Sequence, residues 1–200
     1  MKEGFVDVAL FIPGMETEIR YATAHNLTGK PLSGYEAGKA VLTQEAAQAL
    51  KEAFLQAQSA GYGMRIYDAY RPVRAVADFM RWGEAPEDGR TKTEFYPEYD
   101  KRELIPHGYI ARRSEHSRGS TVDLTLTENG MPLDMGTGFD FMSEKSHHDT
   151  ELVTPHRTEN RNLLRRFMQE AGFKDYAYEW WHYTLANEPY PDTYFDFVIV

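Results

Sequence analysis

The alternation of strand-like and helical patterns predicts an α+β fold, in which helices pack on a central, mostly antiparallel sheet. Two stretches repeat apolar residues at helical spacing, 43–61 and 158–171. Short runs rich in β-branched and aromatic residues are typical of strands and alternate with these helices, at 5–12, 18–22, 64–70, 121–126 and 176–184. Because 200 residues can bury one sizeable core, we expect a single domain over residues 1–200.

Turn and cap residues set the expected limits of the N-terminal elements. The first strand ends at Pro13 and Gly14, two residues that favour turns. Thr43 suits the N-cap of the first long helix, and Gly61 suits the position that follows its end. These signals make 43–61 the best-defined helix of the sequence.

The strand at 64–70 predicts where two polar side chains lie. It ends at Arg71, and the proline that follows favours the first turn of a helix, which we expect to run towards Trp82. Asp68 and Arg71 would then lie together at the C-terminal end of the strand. An arginine at the end of a rigid element could stabilise a developing oxyanion, although a surface salt bridge is the simpler interpretation of Arg71 alone.

Two irregular segments interrupt the pattern, 83–102 and 131–150. Long loops often cover functional sites, and the sequence leaves open whether 83–108 acts as a lid. His147 and His148 could suggest a metal site, but no further ligand stretch accompanies them, which favours a loop role.

Composition excludes several classes of function. The net charge of −9 disfavours a nucleic-acid surface, which needs clustered positive charge. The absence of cysteine excludes thiol nucleophiles and cysteine zinc sites, so any metal must be held by histidines and carboxylates. The apolar run at 8–12 is too short for a signal peptide, and no other run approaches the length of a membrane span. We therefore expect a cytoplasmic protein without a membrane partner.

A histidine and an aspartate flank a glycine turn in the stretch 114–126. If the second half of this stretch is a strand, alternation places Asp123 on a polar face opposite an apolar face. Gly119 would allow the tight turn that brings His116 alongside Asp123. Taken alone, a surface histidine and a strand-end aspartate would be the simpler interpretation.

Glu179 and His182 change that balance, because they supply a third ligand and a carboxylate. Two histidines and one aspartate form a three-ligand zinc set that leaves a fourth position for water, so we expect one Zn²⁺ per chain on His116, Asp123 and His182. Glu179 lies outside this set and is the candidate general base and later acid. Residues three apart oppose each other in a regular strand, so a bulge near the tryptophan pair at 180 and 181 is needed to aim both inwards.

Five blocks in this order form a specific pattern: RYATAHNLTG at 20–29, YDAYRP at 67–72, SEHSRGSTVDLTL at 114–126, MGTGFD at 135–140 with SH at 146–147, and EWWH at 179–182. They resemble the D-alanyl-D-alanine dipeptidases of the VanX type over nearly the whole chain. One departure is that the family usually carries alanine where Thr121 or Val122 stands.

The resemblance implies the Hedgehog/DD-peptidase fold, the zinc set given above, Glu179 as base and Arg71 as stabiliser of the transition state. It further implies that Asp140 binds the free ammonium of the substrate. By the same resemblance, Tyr21, Asp68 and Ser114 lie in or beside the substrate pocket.

The implied function is zinc-dependent hydrolysis of D-alanyl-D-alanine, or of close D,D-dipeptides, to free D-amino acids. It is compatible with vancomycin resistance, D-alanine scavenging or cell-wall turnover, and with a homo-oligomer. One alternative is a D,D-carboxypeptidase acting on peptidoglycan stem peptides, which usually needs export and an open cleft. Another is a non-catalytic zinc-binding module, but such proteins can lose the base or the arginine, and this chain retains Glu179 and Arg71.

Overall fold

A computed structural model describes residues 2–200, in which helices cover a mostly antiparallel sheet. The strands are β1 (Phe5–Asp7), β2 (Glu16–Thr17), β3 (Val41–Thr43), β4 (Gly63–Asp68), β5 (Thr121–Glu128), β6 (Met131–Pro132), β7 (Phe173–Tyr176) and β8 (Glu179–Leu185). The α-helices are α1 (Val8–Phe11), α2 (Gln44–Ser59), α3 (Val73–Glu84), α4 (Lys92–Phe95) and α5 (Pro155–Glu170). Single 3₁₀ turns occupy Arg20–Ala22, Glu115–Arg118 and Glu144–Ser146.

The central sheet has the strand order β2-β4-β5-β8-β7, and β6 adds a short hairpin to β5. Only the β2–β4 pair is parallel among its described pairings, so the predicted mostly antiparallel sheet is confirmed. β1 and β3 form a separate two-stranded antiparallel sheet. Strands β4, β5 and β8 lie side by side, and they carry four residues of the candidate site, Asp68, Asp123, Glu179 and His182.

Helices α2 and α5 contact each other and pack on the central sheet. Thr43 caps α2 by accepting a hydrogen bond from the backbone N–H of Ala46, and Gly61 adopts a left-handed φ of +90°, as the sequence predicts. In β5, the apolar residues and the alternating polar ones are equally buried. The polar face predicted for this strand therefore lies inside the molecule, where its side chains need partners.

Two N-terminal predictions are wrong in detail, and one N-terminal strand was missed. The strand expected at 5–12 ends at Asp7, whose carboxylate accepts a hydrogen bond from the N–H of Ala9 and caps the one-turn helix α1. Of the strand expected at 18–22, residues Arg20–Ala22 form a 3₁₀ turn, and the pairing with β4 extends only to the hydrogen bond from the N–H of Glu18 to the carbonyl of Ile66. Strand β3, just before α2, was not predicted.

The C-terminal elements are displaced from their predicted limits. Helix α5 begins at Pro155 instead of 158, with proline in the first turn. The strand predicted at 176–184 comprises the end of β7 and nearly all of β8, joined by a turn at residues 177–178. The long excursion after α3 contains the short helix α4 and is otherwise irregular. Within residues 2–200, no helix combines the length and apolar character that crossing a membrane requires.

Candidate active site

Sheet register brings three acidic and basic residues into one row. Asp68 of β4 pairs with Asp123 of β5, and Asp123 pairs with His182 of β8. Directly opposed residues in an antiparallel pair project from the same face, so the three side chains converge. A register shift between Ile66 and Asp68 adds a residue to β4 beside the site, a position where bulges often re-aim side chains.

His116 reaches the same point from the 3₁₀ turn Glu115–Arg118. The turn ends at Gly119, which has φ +84° and ψ 8° and lies so close to the ring of Phe5 that a Cβ would overlap it. The tight glycine turn predicted between His116 and Asp123 is therefore confirmed. His116 is 1% exposed, and its Nδ1 donates to the carbonyl of Ala69 at 2.7 Å.

The three predicted metal ligands meet around one point. His116 Nε2 is 3.2 Å from Asp123 Oδ2, His182 Nδ1 is 3.1 Å from Asp123 Oδ1, and the two imidazole nitrogens are 3.3 Å apart. Each residue offers one ligand atom, and these atoms all lie within 4.8 Å of one another. Oδ1 of Asp123 is buried and accepts no hydrogen bond. Two imidazole nitrogens and a carboxylate oxygen form a donor set that can hold a metal ion.

The electrostatics of this group favour a cation. Burial acts to raise the pKa of Asp123, but His116 and then His182 hold it below its ordinary value. Burial acts to lower the pKa of His182, yet the carboxylates of Asp123 and Glu115 raise it to about 10. The protonated ring acts as a counter-charge at a place where a metal could supply one instead.

Glu179, the first residue of β8, lies beside the ligand group. Its Oε2 is 3.7 Å from His182 Nδ1. Asp175 pairs with Tyr183, but the next residue of β7, Tyr176, pairs with Glu179, so the irregularity predicted near the tryptophan pair is confirmed. Burial, assisted by the charge of Asp123, raises the pKa of Glu179 to about 7 against the opposing effect of His182. A carboxyl group with a pKa near neutrality is suited to move protons in both directions.

Arg71 is fixed on the other side of the group. Its Nε donates to Asp68 Oδ2 at 2.9 Å, and its Nη2 is 3.5 Å from Asp123 Oδ2. The guanidinium lies 4.8 Å from the ring centroid of Tyr21, and its Nη1 is 3.5 Å from Ser114 Oγ. Burial acts to lower the pKa of Arg71, but the surrounding acidic groups raise it, so the guanidinium stays charged.

Asp140 and Tyr21 form a second buried polar pair. The Tyr21 hydroxyl donates to Asp140 Oδ2 at 2.7 Å, and both side chains are nearly inaccessible to solvent. Asp140 has a left-handed φ of +60°, unusual for a residue other than glycine. Burial raises the pKa of Asp140 well above its ordinary value.

One cavity of about 290 Å³ joins these groups. Eight of the nine predicted site residues line it: Tyr21, Arg71, Ser114, His116, Asp123, Asp140, Glu179 and His182. Asp68 lies behind Arg71 and is fully buried. Residues 108–111 complete the wall, so only the end of the 83–108 segment reaches the cavity.

Comparison with known proteins identifies the family. A family model described as "D-ala-D-ala dipeptidase" matches residues 1–200. The chain belongs to this family. D-alanyl-D-alanine dipeptidases from Enterococcus faecalis and Streptomyces coelicolor are 46% and 47% identical to it over the full length of both chains. The Escherichia coli D-alanyl-D-alanine dipeptidase is 39% identical over 91% of this chain and 84% of its own length.

A solved structure of a vancomycin-resistance D,D-pentapeptidase, VanY, in complex with Zn(II) aligns with a TM-score of 0.46 and 17% identity over 78% of each chain. The resemblance drawn from the sequence blocks is confirmed by the family match, and with it the prediction of a peptidase. The family match and the dipeptidase relatives confirm the predicted dipeptidase function for the family to which this chain belongs.

Sequence reasoning missed two residues that contact the candidate site. Tyr35 donates its hydroxyl hydrogen to Asp68 Oδ1 at 2.7 Å, and no local pattern marks it within its loop. Glu115 approaches His182, and its position next to a predicted ligand was the available signal. His147 and His148 join no metal-binding group in the described part of the chain, and His148 is 1% exposed.

Proposed function

We propose that this protein hydrolyses D-alanyl-D-alanine, or close D,D-dipeptides, to free D-amino acids with one bound zinc ion. The convergence of His116, Asp123 and His182 beside Glu179 carries the proposal, because it combines a three-ligand set with a carboxylate outside that set. The substrate follows from the family to which the chain belongs and from the relatives that are D-alanyl-D-alanine dipeptidases.

The donor atoms fit zinc. The set contains one carboxylate and two imidazoles, which bind a metal in their neutral form. The buried Oδ1 of Asp123 accepts no hydrogen bond from the described residues. His116 Nε2, His182 Nδ1 and an oxygen of Asp123 would be the ligands. When bound in such a site, zinc activates water and polarises a carbonyl group.

Substrate binding would use two polar groups of the cavity wall, Asp140 and Ser114. Asp140, positioned by the Tyr21 hydroxyl, would bind the free ammonium of the dipeptide, whose positive charge would stabilise the ionised carboxylate. Ser114 lines the cavity beside Arg71 and would offer a hydroxyl group to the other end of the substrate.

Proton transfer would be the task of Glu179. With a pKa raised to about 7, its carboxylate can accept a proton from the attacking water and later donate it to the departing amine. Arg71 would stabilise the negative charge that develops on the carbonyl oxygen, because Asp68 and Tyr21 hold its guanidinium rigidly in the cavity wall.

The cavity dimensions favour a dipeptidase over a D,D-carboxypeptidase. About 290 Å³ is at the small end of ligand cavities, and residues 108–111 close one side. A stem peptide would need a channel for the residues that precede the terminal D-Ala-D-Ala.

The test is hydrolysis by zinc-reconstituted protein, with metal-free protein as the blank. D-Ala-D-Ala, L-Ala-L-Ala and an acylated peptide ending in D-Ala-D-Ala would be assayed in parallel by release of free amino acids. We expect cleavage of the D,D-dipeptide alone. Absence of D,D-dipeptide cleavage would reject the proposal, and faster cleavage of the acylated peptide would support the carboxypeptidase alternative.

We also infer that residues 1–200 form one domain of the Hedgehog/DD-peptidase fold, since one continuous cluster of buried side chains extends from Phe5 to Ile199. A cytoplasmic location and a possible homo-oligomer remain predictions, which cell fractionation and sedimentation would test.

A further inference from the structure

The two histidines of the proposed zinc set present different ring nitrogens to it. His116 uses Nε2, and its Nδ1–H donates to the carbonyl of Ala69 at 2.7 Å. His182 is turned the other way, with Nδ1 towards Asp123 and Nε2 away from the set. A neutral imidazole can bind a metal through one nitrogen only if the other nitrogen carries the proton, so each ring needs an acceptor behind it.

Glu115 stands behind His182. Its Oε2 lies 3.6 Å from His182 Nε2, an ion-pair distance that a small movement of the side chain would convert to a hydrogen bond. Glu115 is the neighbour of the ligand His116 in sequence, so the same 3₁₀ turn carries one proposed ligand and the carboxylate that faces another.

The Glu115 carboxylate is held in place although half of its side chain is exposed. Arg118 Nη2 lies 3.0 Å from Oε1, and Arg118 is itself paired with Glu188 at 2.8 Å. The Thr184 hydroxyl donates to Oε2 at 2.9 Å. A surface glutamate with a single partner would sample several rotamers, whereas these contacts restrict Glu115 to one region.

A hydroxyl relay extends the same network into the sheet. Thr184 Oγ1 is 2.8 Å from Thr121 Oγ1 on the neighbouring strand. A hydroxyl group has one hydrogen, and that of Thr184 is used on Glu115, so Thr121 must be the donor in the pair. The relay therefore runs from Thr121 through Thr184 to the carboxylate.

We propose that Glu115 is a positioning residue for His182: its carboxylate accepts the Nε2–H and so fixes the ring orientation and the tautomer that leaves Nδ1 free for the metal. The inference rests on the proposed zinc site and adds to it a residue that acts through His182 without touching metal or substrate. Partners of this kind typically change metal affinity by about 10- to 100-fold when removed.

The test compares zinc affinity in Glu115→Ala, Glu115→Gln and the wild-type protein by chelator competition. Glu128→Gln, which removes an exposed acid at the end of β5, is the matched control for loss of negative charge. We expect zinc binding about 10- to 100-fold weaker in Glu115→Ala and a smaller loss in Glu115→Gln, which keeps an acceptor oxygen. The control should bind zinc as the wild type does.

A second readout separates positioning from general stability. In zinc-loaded protein labelled with ¹⁵N-histidine, long-range ¹H–¹⁵N spectra report the tautomer of His182. We expect the Nε2–H form to give one sharp pattern in the wild type and in Glu115→Gln, and to lose that pattern in Glu115→Ala.

Unchanged zinc affinity and an unchanged His182 pattern in Glu115→Ala would overturn this inference while leaving the zinc site intact. An equal loss of affinity in Glu128→Gln would also overturn it, because the effect would then be one of net charge. If the wild-type protein bound no zinc at His182, the proposed function and this inference would both be rejected.

Discussion

Replacement of Glu179 by glutamine is expected to change turnover and stability in opposite directions. Glu179→Gln keeps the size of the side chain and removes its ability to accept a proton. General-base loss alone is worth about 10²- to 10⁴-fold in rate, which corresponds to about 3–5 kcal/mol in the activation free energy. Zinc content should be retained, because Glu179 is outside the group of three ligand atoms.

The stability effect follows from the raised pKa of Glu179. A carboxyl group with an ordinary pKa of 4.5 in the unfolded chain and about 7 in the folded protein disfavours folding once both states are ionised. Ionisation of Glu179 should therefore remove about 3 kcal/mol from the free energy of unfolding of the zinc-free wild type as pH rises from 4.5 through 7. Glutamine carries no charge, so the free energy of unfolding of the variant should not contain this decrease.

Urea denaturation of zinc-free proteins would measure the difference. At about pH 8 we expect Glu179→Gln to be up to ~3 kcal/mol more stable than the wild type, and at about pH 5 the difference should shrink to under ~1 kcal/mol. Glu128→Gln serves as the control at an exposed position of β5. Turnover close to that of the wild type would remove Glu179 from the role of base. A variant no more stable at about pH 8 would refute the argument from burial.

Three further outcomes follow from other parts of the molecule. Burial lowers the pKa of His148 to about 4, so protonation of this one residue should remove about 2 kcal/mol of unfolding free energy between about pH 7 and pH 5. In urea titrations of zinc-free protein, the free energy of unfolding of His148→Gln relative to the wild type should rise by about that amount over the same pH range. Gly119→Ala should lower the free energy of unfolding by about 2–4 kcal/mol, because its Cβ would overlap the ring of Phe5 and its φ is left-handed. Gly61→Ala has a similar φ but open space around the Cβ, so it should lower the free energy of unfolding by only about 1 kcal/mol in the same denaturation assay. Removing zinc with a chelator should lower the melting temperature. Added zinc at about 1,000 times its dissociation constant should raise the free energy of unfolding by about 4 kcal/mol. A melting temperature independent of zinc would contradict the proposed site.

Sequence reasoning was most successful where residue type and chain spacing alone determine the outcome. Thr43 and Gly61 mark the ends of α2 by local hydrogen bonding and backbone conformation, and the structure confirms both. The proposed ligands were recognisable because few residue types bind zinc and the chain contains no cysteine.

Features that depend on contacts between residues far apart in the chain could not be predicted from the sequence. The row of Asp68, Asp123 and His182 exists because β4, β5 and β8 pair in one register, which no local pattern encodes. Tyr35 reaches Asp68 from a loop by a tertiary contact alone. The apolar run at 8–12 was assigned to a strand, although a short apolar run fits a strand or a helix equally well. In the structure, Asp7 caps the N-terminus of a short helix at this position.

The position of the metal tests the central claim most directly. A crystal structure of zinc-loaded protein, with anomalous scattering recorded on both sides of the zinc edge, would locate the ion without reference to activity. We predict one strong peak bound by His116 Nε2, His182 Nδ1 and a carboxylate oxygen of Asp123 at about 2.0–2.2 Å, with Glu179 near the open fourth position. A zinc ion held elsewhere, or no peak between these three side chains, would contradict the account.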